Sequence, residues 1–139
     1  MVKLIEKDDY YFKYELQVRV GDLNYGGHLG AAEMVSIIHD SRVHYFKSVG
    51  LTEVNLGDGK TAMIIKDLVV NFRGEAFLDD VLIISVDTEV EKDDEFRIYY
   101  RIKTKNRLVA LAETGVVSFD FLERKKIPLP SEFYKALQA

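Results

Sequence analysis

The sequence contains no cysteine, and this absence excludes a disulfide framework, a thiolate metal site and a cysteine nucleophile. Its only two prolines, Pro128 and Pro130, lie near the C-terminus, so no proline-rich linker divides the chain. Long apolar runs are also missing, and the first residues, MVKLIEKDDYYFKY, resemble neither a signal peptide nor a membrane span. We therefore predict a cytoplasmic protein with no membrane partner.

The chain also lacks a strong charge of either sign. Its formal net charge is -4 at pH 7 and no basic block stands out, so nothing predicts a nucleic-acid partner. Hydrophobic residues make up 47% and charged residues 30% of the sequence, which is an ordinary globular composition. A length of 139 residues suits one core, and we predict a single domain over residues 1–139.

The first half of the chain predicts one strand and one long helix. Apolar and polar residues alternate from Tyr10 to Val20, which indicates a strand. The apolar face of this strand comprises Tyr14, Leu16, Val18 and Val20. From Gly30 to about Val49, apolar residues recur at helical spacing around most of the circumference, so we expect a buried helix that ends at Gly50.

The second half predicts four strands and a short C-terminal helix. The strands are Thr61–Arg73, Asp80–Lys92, Glu95–Lys105 and Leu108–Leu122. The segments KDDE and KNR are short enough for hairpin turns, and Ser131 could cap the last helix. This order predicts an α+β fold in which an antiparallel meander wraps around the one long helix. Open strand edges would then favour a dimer.

Between the first strand and the helix lies GDLNYGGHLG, Gly21 to Gly30, which holds four glycines. Glycines at this density allow the backbone to approach a ligand closely, although they could also form a simple turn. The same stretch supplies three polar side chains, Asp22, Asn24 and His28. It is therefore the candidate functional loop.

Two stretches resemble a known family. They are VRVGDLNYGGHLGAAEMVSIIHDSRVHYF (Val18 to Phe46) and VVNFRGEAFLDDVLIISV (Val69 to Val86). Their order and spacing resemble hotdog-fold acyl-CoA thioesterases of the 4-hydroxybenzoyl-CoA thioesterase type, and the likeness extends from about Tyr10 to Leu122. It implies a hotdog fold, hydrolysis of an acyl-CoA, no cofactor or metal beyond the CoA thioester substrate, and a homodimer or tetramer with its site between subunits.

The resemblance also assigns roles within the loop. The family's attacking carboxylate is the second Asp of its pattern, and here that position is Asn24, which has no ionisable proton near neutral pH. The first Asp is kept as Asp22, which could brace the loop or accept a proton. His28 matches a histidine of the plant acyl carrier protein thioesterases and could accept a proton, or only bond the backbone.

Glu33, in the first helical turn, could replace the missing base or only favour the helix dipole. By resemblance, a backbone amide near Gly30 or Ala31 would polarise the thioester carbonyl. Gly26, Gly27 and Gly30 would let the acyl chain or pantetheine pass close by.

The remaining roles concern CoA and the middle of the helix. By resemblance, Arg73 after Phe72 would contact CoA. Asp40 and His44 are four residues apart and can pair, whereas His39 has no partner that the sequence reveals.

Two alternative functions stay open. With the family carboxylate absent, the protein could bind an acyl-CoA or another small ligand without hydrolysing it. A hotdog hydratase is the other alternative, but its Asp would fall at position 23, which is Leu23 here. That spacing disfavours a hydratase.

Overall fold

The computed structural model describes residues 1–138, in which one long helix packs against an antiparallel sheet. The elements are β1 (Phe12–Gln17), α1 (Ala31–Ser48), β2 (Thr61–Phe72), β3 (Val81–Lys92), β4 (Glu95–Thr104), β5 (Arg107–Asp120), β6 (Lys125–Lys126) and α2 (Ser131–Gln138). The predicted long strands and both helices are confirmed, with ends displaced by a few residues. Neither described helix has the length and apolarity to cross a membrane.

The sheet order is β1-β3-β4-β5-β2, with β6 paired to β5. Two-residue turns join β3 to β4 and β4 to β5, as the sequence predicts. The expected four-strand meander is wrong for β2, because this strand pairs with β5 rather than with β3. Residues 73–80, which join β2 to β3, cross between separated strands and are not a hairpin. This connection runs beside the loop before α1, where the Leu29 amide donates to the carbonyl oxygen of Ala76 over 2.9 Å.

The core lies between α1 and the alternate residues of the central strands that face it. Ile84, Ile102 and Ala110 occupy matching positions on three neighbouring strands and are buried. The helix contributes its buried face, and α2 adds Phe133, whose ring centroid lies 4.8 Å from that of Phe96. The main core residues of α1 are Met34, Ile37, Ile38, Tyr45 and Phe46.

Three local predictions are wrong. β1 ends at Gln17, so Val20 lies in a 3-10 turn and is 73% exposed instead of sharing the apolar face. Asp22 closes that turn by accepting the Arg19 amide, which takes the chain out of the extended conformation. Ser131 is the first residue of α2 rather than its cap. Finally, the helix α1 keeps one exposed face and is not buried all round. That face comprises Ala31, Ala32, Val35, Ser36, His39 and Val43.

Candidate active site

The loop from Gly21 to Gly30 folds back on itself before α1. The Asn24 amide donates to the carbonyl oxygen of His28 over 2.7 Å, and the Gly30 amide donates to that of Asp22 over 3.0 Å. Gly27 has a φ of 82°, a conformation that favours glycine. With the Leu29–Ala76 bond, these contacts fix the loop against the β2–β3 connection.

Asn24 braces this loop with its side chain. Its Oδ1 accepts the amide N–H of Gly26 over 2.9 Å and that of His28 over 3.2 Å. Such bonds from an Asn side chain to nearby amides stabilise a turn. The amide oxygen thus supplies the acceptor that a carboxylate would supply here, without its charge.

Asp22 faces a different environment. Its buried carboxylate accepts the Arg19 amide over 2.9 Å, and the Arg19 Nε lies 3.5 Å from the same oxygen. Asp22 lines a cavity of about 330 Å³ together with Tyr14 and Asp40. Neither Asn24 nor His28 lines that cavity, so the geometry favours a bracing role for Asp22.

A separate cleft, which we call the His28 cleft, has a volume of about 340 Å³. It is lined by Asn24, His28, Leu29, Ala31, Phe72, Gly74 and Glu75. Four candidates from the sequence, Asn24, His28, Ala31 and Phe72, therefore meet at one surface. Glu75 is a functional candidate that the sequence did not reveal, since the β2–β3 crossover brings it there. No group of three or more His, Asp or Glu residues within residues 1–138 is arranged to hold a metal ion.

His28 lies on the wall of the cleft between Phe77 and Glu75. Its ring centroid is 5.1 Å from that of Phe77, and its Nδ1 is 3.4 Å from Glu75 Oε2. In the described part of the chain, this buried Nδ1 has no hydrogen-bond partner. Glu75 is thus the carboxylate that the imidazole faces.

The N-terminus of α1 supplies a free amide to the cleft. Gly30 is the N-cap residue, and its own N–H is already bonded to Asp22. The Ala31 N–H has no acceptor among residues 1–138, and Ala31 lines the cleft. An unpaired amide at the positive end of a helix can stabilise a developing negative charge. Of the two amides proposed from the sequence, only that of Ala31 is available.

Glu33 folds back over the start of α1. A Cβ atom built on Gly30 would overlap the Glu33 carboxylate and would lie 3.3 Å from the Asn24 Cβ. Glycine at position 30 therefore accommodates both side chains. The carboxylate lies near the helix N-terminus, where its charge is favourable, and Glu33 does not line the His28 cleft.

Arg73 does not line the cleft either, although it is exposed. Its guanidinium donates to the carbonyl oxygen of Leu4 over 2.7 Å, and the Leu4 amide donates to Asn71 Oδ1 over 2.6 Å. Arg73 thus holds the N-terminal segment against β2. A guanidinium that adjoins the cleft is that of Arg107, which lies 3.3 Å from the carbonyl oxygen of Glu75.

The polar residues in the middle of α1 brace the fold. Asp40 and His44 are in contact as predicted, with 3.7 Å between Asp40 Oδ1 and His44 Nδ1. The Tyr14 hydroxyl donates to Asp40 over 2.6 Å, and this bond raises the pKa of Tyr14 to about 12. His39, unassigned from the sequence, contacts Glu53 over 3.1 Å.

The known proteins that this chain resembles agree with one another, since they comprise a thioesterase-like superfamily, a CoA hydrolase and an acyl-CoA thioesterase. The thioesterase-like superfamily matches residues 18–137. A 1,4-dihydroxy-2-naphthoyl-CoA hydrolase of Nostoc punctiforme is 30% identical over 131 residues, covering 91% of this chain and 86% of that protein. The acyl-CoA thioesterase YbgC of Haemophilus influenzae is 22% identical, covering 87% of this chain and 90% of its own length.

A solved structure supports the same grouping. The 1,4-dihydroxy-2-naphthoyl-CoA thioesterase of Synechocystis superposes with a TM-score of 0.82 at 25% identity, covering 91% of this chain and 95% of that one. Its fold confirms the α+β hotdog architecture that the sequence predicts.

Proposed function

The chain belongs to the thioesterase-like superfamily, and on this premise we propose that it is an acyl-CoA thioesterase, which hydrolyses an acyl thioester to a free acid and CoA. The observation that carries the proposal is the His28 cleft, where the unpaired Ala31 amide, the His28 imidazole and the Phe72 ring meet. These groups are an oxyanion donor, a group that can exchange a proton near pH 7, and an apolar wall.

The reaction places the thioester carbonyl oxygen at the Ala31 amide. A water molecule attacks the carbonyl carbon, and negative charge develops on that oxygen. The Ala31 N–H and the helix dipole stabilise this charge because both are fixed in place before the reaction. The carbon–sulfur bond then breaks and CoA leaves. Asn24 contributes by holding the loop that orients His28.

We propose an aromatic acyl group as the substrate class. The Nostoc and Synechocystis relatives are named for a naphthoyl thioester. In this chain Phe72 lines the cleft and Phe77 flanks His28, and both rings are partly exposed. An exposed ring in the cleft lining and a second ring beside His28 suit a flat aromatic acyl group, which would stack or pack edge-on against Phe72.

We also propose a homodimer. The outer edge of β2 is unpaired in residues 1–138, and the exposed face of α1 lies beside it. A cavity of about 430 Å³ between them is lined by Val35 and Leu68, both 40% exposed. A second copy that joins at β2 would cover these apolar side chains and the free strand edge. Light scattering coupled to size-exclusion chromatography would measure the mass.

The cytoplasmic location and the lack of a further cofactor stay predictions from the sequence.

Hydrolysis of a panel of acyl-CoAs tests the enzymatic proposal. The panel extends from acetyl to palmitoyl and adds hydroxylated aromatic acyl-CoAs, with release of free thiol as the signal. We expect turnover, highest for the aromatic substrates, and a loss of turnover in His28→Ala. Absence of turnover on every substrate, together with measurable CoA binding, would support the non-catalytic alternative.

A further inference from the structure

We infer that Glu75 is a positioning residue for His28 and that this pair takes the proton from the attacking water. The inference rests on the proposed thioesterase function. Asn24 occupies the position of the family's attacking carboxylate, and the His28–Glu75 pair supplies the proton acceptor that this position lacks.

The positions of the nearby carboxylates single out this pair. Asp22 lines another cavity and is bonded to Arg19, while Glu33 lies over Gly30 and outside the cleft lining. Asn24 is in the cleft but cannot accept a proton near neutral pH. Glu75 is the carboxylate that lines the cleft, and it does so beside His28.

The geometry of the pair sets the tautomer of the imidazole. Glu75 Oε2 lies 3.4 Å from His28 Nδ1, and this nitrogen has no other partner in the described chain. A carboxylate at this nitrogen favours the tautomer with the proton on Nδ1, which leaves the Nε2 lone pair free to accept a proton. A contact slightly longer than a hydrogen bond in a free enzyme commonly shortens when substrate binds.

In the proposed hydrolysis, the proton that leaves the water reaches the CoA sulfur by way of His28. The water oxygen bonds to the thioester carbonyl carbon while its proton passes to His28 Nε2. The tetrahedral intermediate collapses, the carbon–sulfur bond breaks, and the imidazolium returns the proton to the CoA sulfur. Glu75 stabilises the imidazolium that exists between these two transfers, because it holds a negative charge at the opposite nitrogen.

The other charged groups near the pair lie on β5, on α1 and in the connections before β3 and β5. Arg107, on β5, lies 3.3 Å from the Glu75 carbonyl oxygen, and its guanidinium is 6.0 Å from the Phe77 ring. Asp80, before β3, pairs with Arg107 and Lys105. Glu33, on α1, lies by Gly30. Arg107 is thus shared between Asp80 and the backbone of Glu75, which leaves the Glu75 carboxylate to face His28.

Kinetics of Glu75→Gln and Glu75→Asp test the inference. For the acyl-CoA that the wild type hydrolyses best, we expect Glu75→Gln to lower kcat roughly tenfold or more with little change in KM, since His28 loses the carboxylate that orients it and stabilises its imidazolium. Glu75→Asp should restore part of kcat. Glu91→Gln is the control, because it removes the same charge from an exposed site at the far end of β3.

A second measurement needs no turnover. Nitrogen NMR of the imidazoles in the ligand-free protein reports the tautomer, and His28→Asn assigns the signal among the three histidines. We expect the Nδ1–H form of His28 to decrease in Glu75→Gln and to persist in Glu91→Gln. A Glu75→Gln variant with wild-type kcat and tautomer would overturn the inference. A wild type without turnover would instead overturn the proposed function, and the NMR result would still decide whether the pair exists.

Discussion

Replacing Ala31 with proline isolates the contribution of one backbone amide to the reaction. Ala31 is the first residue of α1, where proline is favoured, and its N–H has no acceptor in the described chain. Gly30 before it has φ -79° and ψ 157°, which is the extended conformation that a residue before proline adopts. The substitution should therefore change the free energy of unfolding by less than about 1 kcal/mol.

The expected loss of activity in Ala31→Pro is large by comparison. Removing one oxyanion donor costs about 10²- to 10³-fold in kcat, or about 2.7–4 kcal/mol of transition-state stabilisation. Because the bond to the oxyanion strengthens only in the transition state, kcat and kcat/KM should fall by the same factor. Thiol release measures both constants, and urea denaturation measures stability. Ala31→Ser, which keeps the N–H, is the matched control. A folded Ala31→Pro variant with wild-type kcat would refute the assignment of this amide as the donor.

Three further variants test the fold and the loop. Phe133→Ala should lower the free energy of unfolding by about 3–5 kcal/mol in urea, because its ring is fully buried, whereas Tyr134→Ala, at a partly exposed position, should cost much less. Hydrogen-bonded lysine side chains hold the pKa of Glu95 at about 2, below the ordinary 4.5, so its stabilising contribution exists above pH 4.5 and disappears as the pH falls toward 2. Glu95→Gln should reduce the drop in the urea midpoint across that range, and an unchanged drop would contradict this attribution. Asn24→Asp should keep the loop folded, as judged by resistance to proteolysis, but lower kcat at pH 7; a higher kcat would contradict the role given to the amide.

Periodicity predicts the elements of this fold but not their neighbours. Alternation along β2 shows which of its residues share a face, and it carries no information about which strand pairs with it. The pairing of β2 with β5 follows from residues 73–80, a connection without any periodic pattern. The hotdog resemblance supplied the overall architecture, whereas the local assumption of a meander failed at this strand.

The connection between β2 and β3, residues 73–80, separates the site residues that the sequence could group from those that it could not. Asn24, His28 and Ala31 are close in the chain, so a glycine-rich loop before a helix was enough to group them. Glu75 meets His28 only through the crossover, a contact between residues far apart in the sequence. Arg73 is engaged by residues near the N-terminus, whose position on the sheet has no signal in hydrophobic patterning.

Asn24 is consistent with the charges that surround it. Its Cβ and the Glu33 carboxylate both lie against Gly30, so an aspartate at position 24 would place two carboxylates close together at the start of α1. Like charges at such a distance disfavour full ionisation of both groups, and they would also repel the oxyanion that forms at the Ala31 amide. An amide keeps both loop hydrogen bonds and avoids this repulsion. The proton acceptor can then lie on the opposite wall of the cleft, where Glu75 faces His28.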